Sequence, residues 1–174
     1  ERTLLESPCF DFSQNPQDPY IDVDLIWQTE TNYDGLWLEI SLDNGISWNK
    51  VGAMGQGINW YNHNITSRNL GDVWSGNTNP AWVTASHVLS NAGGESQVRL
   101  RFAFSSDASL TYEGIGLDNV KVYYQNAIDA GTTTLAHTST SPCGSATDSV
   151  CITIQNFGSS PLVNPRVGYA VNGG

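Results

Sequence analysis

From Tyr20 to Glu30 every second residue is apolar: Ile21, Val23, Leu25 and Trp27 alternate with Asp22, Asp24, Gln28 and Glu30. A period of two places the four apolar side chains on one face of an extended strand and the acids on the other. Leu36, Leu38, Ile40 and Leu42 repeat the pattern, as do Val98, Leu100, Phe102 and Phe104 against Arg99 and Arg101. Leu117 to Tyr124 reads as a further strand, and Leu4 to Phe12 as the first. No stretch of ten or more residues carries an apolar face at helical spacing, so helix is confined to one expected turn around Ala85 to Leu89. Strands greasy on one side only must cover one another, which gives an all-β fold of antiparallel sheets stacked as a β-sandwich.

The alternation restarts after a polar, small-residue stretch. Val150, Ile152 and Ile154 form one run, and Val167, Tyr169 and Val171 another, which places a boundary after Tyr124: one domain over 1–124, a linker over 125–131 and a partial second β module over 132–174. The 50 residues beyond Tyr124 are too few for the seven strands and roughly 100 residues of an immunoglobulin-like sandwich. With Glu at position 1 and Gly at position 174, the chain is expected to be a segment of a longer polypeptide.

Charge narrows the partners. Seven Lys and Arg stand against 17 Asp and Glu, a net charge of −10. Nucleic acid and anionic bilayers both need a positive field, so neither is an expected partner. No run of 18 apolar residues is present, so no membrane insertion is expected. Cations, neutral glycans and proteins remain.

Several local patterns carry chemistry. Cys143 and Cys151 flank a short loop and suit a disulfide, a closure contributing about 2 to 3 kcal/mol; Cys9 is then expected as a buried thiol on a strand. Ser41-Leu42-Asp43-Asn44-Gly45-Ile46-Ser47-Trp48 has the S-x-D-x-G-x-x-W form of an Asp-box, a hairpin whose carboxylate accepts turn amides and whose Trp folds back over it. The connection from Ala53 to Ala81 is too long for a simple hairpin and is rich in rings: Trp60, Tyr61 and Trp74, with Trp82 at its exit, interleaved with Asn59, Asn62, Asn77 and Asn79. Such rings beside amides either bind a sugar, stacking on its flat face, or plug one end of the sandwich. Asn64-Ile65-Thr66 fits an N-glycosylation acceptor. Asp22 and Asp24, two apart on one strand face, are expected to face water rather than to act as a catalytic pair, which needs a dry pocket and a raised pKa. His63, His87 and His137 are isolated, and no zinc-peptidase, nucleophile-elbow or Walker pattern occurs, so no catalytic residue is assigned and no enzyme is expected.

The order of these patterns resembles a known family. Leu5-Glu6-Ser7-Pro8-Cys9-Phe10-Asp11-Phe12-Ser13, then Glu30-Thr31-Asn32-Tyr33-Asp34-Gly35 leading into the box, then Arg99-Leu100-Arg101-Phe102, Ser106-Asp107 and Gly116-Leu117-Asp118-Asn119-Val120 resemble the MAM-like jelly-roll modules of bacterial secreted proteins. Such modules accompany immune-inhibitor-A-type metallopeptidases and large surface proteins exported by type IX secretion. The resemblance spans residues 3 to 124 and implies an antiparallel jelly-roll β-sandwich. Ile152-Thr153-Ile154-Gln155-Asn156-Phe157-Gly158, with Cys143 and Cys151, resembles the immunoglobulin-like adhesion modules that often follow. Asp148-Ser149-Val150 looks like the short O-glycosylation motif of some type IX-secreting bacteria, which marks Ser149.

A structural calcium ion is implied on Glu30, Asp34 and Asp118. Glu30 and Asp34 flank one loop, and in the family's jelly roll Asp118 would lie near it; calcium takes six to eight such oxygens. Family members carry two consecutive acids where this chain has Asp118-Asn119. The expected function is that of a non-catalytic, secreted or cell-surface module acting in adhesion, spacing or presentation beside other modules of the same polypeptide. Ligand contacts, with a glycan or a surface protein, would fall on Trp60, Tyr61, Trp74 and Trp82. The alternatives are a carbohydrate-binding module of a polysaccharide-degrading enzyme and an accessory domain of a secreted metallopeptidase.

Overall fold

A computed structural model of the chain describes residues 1–78, 81–125, 129–137, 150–158 and 160–168. Among these residues there is no helix, and the chain divides into two compact units, Glu1–Tyr124 and Gln125–Gly174. The fold is all-β.

The first unit is sandwich-like. Strands β1 (Arg2–Glu6), β2 (Tyr20–Gln28), β3 (Gly35–Ser41), β4 (Asn49–Lys50), β5 (His63–Ile65), β6 (Gly71–Val73), β7 (Val83–Val88), β8 (Arg99–Ser105) and β9 (Gly114–Tyr123) form three antiparallel sheets. One sheet has the order β1-β8-β3-β4, a second β7-β2-β9, and β5 with β6 makes a small third. The alternation decides which faces meet. Ile21, Val23, Leu25 and Trp27 of β2 are buried together with Leu36, Leu38 and Ile40 of β3 and Leu100 and Phe102 of β8 in one core. The expected helical turn over Ala85 to Leu89 does not form. Ala85 to Val88 belong to β7, paired with β2 from Tyr20↔Val88 to Leu25↔Val83, because Ala85 and His87 fill inward positions and the period there is two; Leu89 follows the strand. The first strand ends at Glu6 rather than Phe12; Phe10 makes only an isolated bridge to Val98, and Cys9 is exposed and outside any strand, not a buried thiol.

The box closes the β3–β4 hairpin by local bonds. Asp43 accepts from Ser47 N at 2.8 Å and from the Ser47 hydroxyl, and the Ser41 hydroxyl donates to it at 2.7 Å. Asn44 and Gly45 take the left-handed φ of 59° and 94° that the turn needs, and Trp48 Nε1 returns to Gly45 O at 3.0 Å. The bonds from Ser47 and Ser41 hold the Asp43 carboxyl at a pKa of about 2. On the outer face of this sheet Glu39 sits between Arg2, 2.8 Å away, and Arg101, with the Arg101 guanidinium 3.9 Å from the Trp48 ring centre. Burial alone would raise the Glu39 pKa, but the bonds from Trp37 and Arg101 and the charge of Arg2 outweigh it and lower it.

The second unit, among the described residues, holds β10 (Ala130–His137) paired antiparallel with β11 (Val150–Asn156), with a bulge between Thr132 and Thr134. Ala130 and Gly131, read above as linker, already pair with Asn156 and Gln155. Val167 lies outside any strand, and Tyr169 and Val171, the rest of the run expected there, lie outside the described residues.

Two outcomes test this account. Trp74, fully buried, is expected to cost about 3 to 5 kcal/mol when cut to Ala, read from urea unfolding. Asp43 titrates lower in the fold than its ordinary 3.8, so its contribution is complete above that pH and is lost as pH falls toward about 2. Asp43→Asn is expected to flatten the fall in melting temperature across that window and to leave the slope above it unchanged.

Candidate functional site

Three of the four rings proposed to bind ligand do not face solvent. Trp60, Tyr61 and Trp74 are buried and pack edge to face, with centroids 4.9 Å apart for Trp60–Trp74 and 4.6 Å for Tyr61–Trp74. Their polar atoms are used internally: Trp60 Nε1 donates to Val51 O at 2.9 Å, the Tyr61 hydroxyl to Val51 O at 2.8 Å, and Trp74 Nε1 to Asn59 O at 2.9 Å. Burial pushes the Tyr61 phenol well above its ordinary pKa. The long connection is a plug because indoles and phenols bury large area once each polar tip has a partner. No sugar can stack on these three.

Trp82 differs. It is 53% exposed and rests over β9 where Gly116 leaves room; a Cβ at Gly116 would lie 3.2 Å from its ring and 2.8 Å from Ile26. It stands at the rim of a broad, open depression of about 710 Å³ on the outer face of β7-β2-β9, lined also by Asp22, Asn59, Thr84, Ser86 and Tyr123. Strand pairing builds this shelf. Asp22 lies opposite Ser86 and Lys121, and Asp24 opposite Thr84. Asp22 accepts from Ser86 Oγ at 2.6 Å and from the Tyr123 hydroxyl at 3.1 Å; Asp24 accepts from Thr84 Oγ1 and, at 2.8 Å, from Asn119 Nδ2. Bonds from Thr84 and Asn119 lower the Asp24 pKa, so it stays ionised. Both acids project away from the core, and each keeps acceptor capacity beyond these bonds.

The acidic loop takes a different membership from the one expected. Glu30, Asp34 and Asp107 each place a carboxylate oxygen within 4.8 Å of the others. Asp34, buried, accepts from Asp107 N at 3.0 Å and Glu30 N at 3.3 Å, while Ser109 Oγ reaches both Glu30 and Asp107 at 2.9 Å. Bonds from Ser109 lower the Asp107 pKa. Asp118 is not in this cluster. The register of β2 with β9 runs from Gln28↔Gly114 to Tyr20↔Tyr123, so Asp118 sits opposite Asp24, six residues and about 20 Å along the strand from Glu30. Asp107 enters through an Asp-x-Ser turn just after β8, a signal present in the sequence but read only as part of a resemblance. The donors are all hard oxygens, which fits calcium better than a soft metal.

The remaining assignments fall as follows. Asn64 is exposed on β5, with its amide bonded to Asp72. Cys143 and Ser149 lie outside the described residues; Cys151 is exposed on β11. Among the described residues no helix is long and apolar enough to cross a membrane. No family of known proteins matches the chain, and none of the curated proteins does.

Proposed function

We propose that this chain is a non-catalytic extracellular module of a larger secreted or surface-anchored bacterial protein. It would combine a MAM-like jelly roll over 1–124 with a partial immunoglobulin-like module and act in adhesion, spacing or presentation. The observation that carries the reading is the outer face of β7-β2-β9, where an exposed Trp82 stands beside Asn59 of the long connection and Asp22, Thr84 and Ser86 on regular strands. General acid catalysis needs a carboxyl kept protonated by a dry site; Asp24 is shifted the opposite way, on an open surface. Hydroxyl-bonded acids beside an indole suit recognition.

The same face favours a narrower reading, a carbohydrate-binding module. A pyranose can lay its apolar face on Trp82 while its hydroxyls donate to Asp22 and Asp24, and the net charge of −10 turns away acidic polymers. Binding to neutral polysaccharides, measured by affinity electrophoresis, is expected to fall about tenfold for Trp82→Ala, in keeping with the loss of one ring stack. Absence of binding by the unaltered chain removes the glycan reading and leaves the module as a spacer, and full affinity in the variant removes Trp82 from the contact.

Glu30, Asp34 and Asp107 would hold a calcium ion, whose charge would relieve three neighbouring carboxylates and tie the β2–β3 turn to the segment after β8. Millimolar calcium is then expected to raise the melting temperature by several degrees, with reversal by chelator and no response in Asp34→Asn. A midpoint that ignores both calcium and chelator removes the ion from the proposal.

A further inference from the structure

The edges of the two main sheets are protected unequally. β4 is two residues long, and β7 is covered by Ile58, which exchanges both backbone bonds with Ser86 at 2.9 Å. β9 is bulged between the partners of Asp22 and Asp24, with Asn119 at a φ of 48°. Short strands, covers and bulges are the usual ways of blunting an edge. β1 has none of them. Its register with β8 is unbroken from Arg2↔Ser105 to Glu6↔Arg101, and Leu4 and Leu5 are 46% and 59% exposed.

The direction of its free peptide groups follows from its bonded ones. Ser106 N donates to Glu1 O at 3.0 Å and Ser7 N to Leu100 O at 2.8 Å, so the odd residues of this segment face β8. Only every second pair of an antiparallel ladder is bonded. The N–H and C=O groups of Arg2, Leu4 and Glu6 therefore point away from the sheet, and among the described residues no strand receives them.

We propose that β1 is a self-pairing edge, through which a second copy of this chain adds antiparallel about a two-fold axis at Leu4. In that register the three outward residues of one copy meet the three of the other: Arg2 opposite the partner's Glu6, Leu4 opposite the partner's Leu4, and Glu6 opposite the partner's Arg2. The bonded pairs then fall on the groups left free by β8, and the two-fold makes the contact closed and self-complementary. Charges on an edge strand ordinarily repel a second copy; here the signs at symmetry-related positions are opposite, so the pairs attract. Arg2 is already oriented by Glu39 and Glu6 by Arg99, at 2.8 and 3.1 Å. On the inner side Leu5 borders two apolar recesses of about 200 and 260 Å³, both reaching Phe102, and the partner's Leu5 would come down across Thr3 to cover them.

Sedimentation velocity of the purified chain from about 1 μM to about 1 mM is expected to show a monomer–dimer equilibrium. Leu4→Pro removes an outward N–H and leaves the β1–β8 bonds intact, which edge strands tolerate, and is expected to weaken dimerisation about tenfold or more. Arg2→Glu alone and Glu6→Arg alone should each be monomeric where the wild type is dimeric, and an equimolar mixture of the two should restore the dimer. A wild type that stays monomeric throughout overturns the proposal and leaves the edge to a strand of another protein. A dimer that survives Leu4→Pro overturns it by placing the contact elsewhere. Should Leu4→Pro fail to fold, the charge variants decide alone, and absence of rescue in the mixture is the overturning result.

Discussion

Three rings and the carbonyls that receive their polar atoms hold the first unit together. Trp60, Tyr61 and Trp74 come from one connection, yet Val51 O lies just past β4 and the Tyr61 hydroxyl also accepts from Leu38 N of β3 at 3.2 Å. The segment around Trp74 bridges backbone to Leu36, and Asn77 bridges to Gln28 of the opposite sheet. One loop therefore ties both sheets at one end of the sandwich. Without internal acceptors, burying two indoles and a phenol would strand polar atoms away from water, at about 1 to 3 kcal/mol each. With them, the loop contributes core.

That constraint also sets which surface is left for recognition. A loop consumed by the core cannot offer its rings outward, and the one ring it does not consume, Trp82, emerges at the start of β7 and is carried onto the face of β7-β2-β9. The opposite outer face is occupied differently. There Arg2, Glu39, Arg101 and Trp48 interlock, with Lys50 over the Trp37 ring at 5.0 Å, so charges and rings satisfy one another. The two outer faces thus differ in kind, one closed on itself and the other open.

Legibility followed the range of the interaction. The alternation of Ile21, Val23, Leu25 and Trp27 was readable because a strand's own residues declare its buried face. The Asp43 hairpin is readable because every bond to the Asp43 carboxylate spans at most four residues. β10 is hidden in the sequence because consecutive threonines blur the period, and the later part of β7 resembles a helical turn because His87 does not announce itself as an interior residue. The acidic cluster was half legible. Glu30 and Asp34 share a turn, but the choice of Asp107 over Asp118 depends on the β2–β9 register, which no local pattern encodes. Trp82 could not be told from Trp60 and Trp74, since all three are aromatic residues of one long connection and only packing separates them.

Placement of the open edge and the open face on different sheets has a physical consequence. β1 belongs to the sheet of β3 and β8, and none of its residues lines the shelf of Asp22, Trp82 and Ser86. Strand addition at β1 would join two shelves without covering either. A single open shelf would offer one indole stack and a few hydroxyl contacts, enough only for weak binding if a neutral polymer is the ligand. Two shelves carried by one such dimer would convert the second contact into an intramolecular event on the same repeating chain, which can multiply the apparent affinity by about a hundredfold or more without any new contact. A module with one exposed indole on its open shelf would therefore gain most from pairing if its ligand were a repeating one.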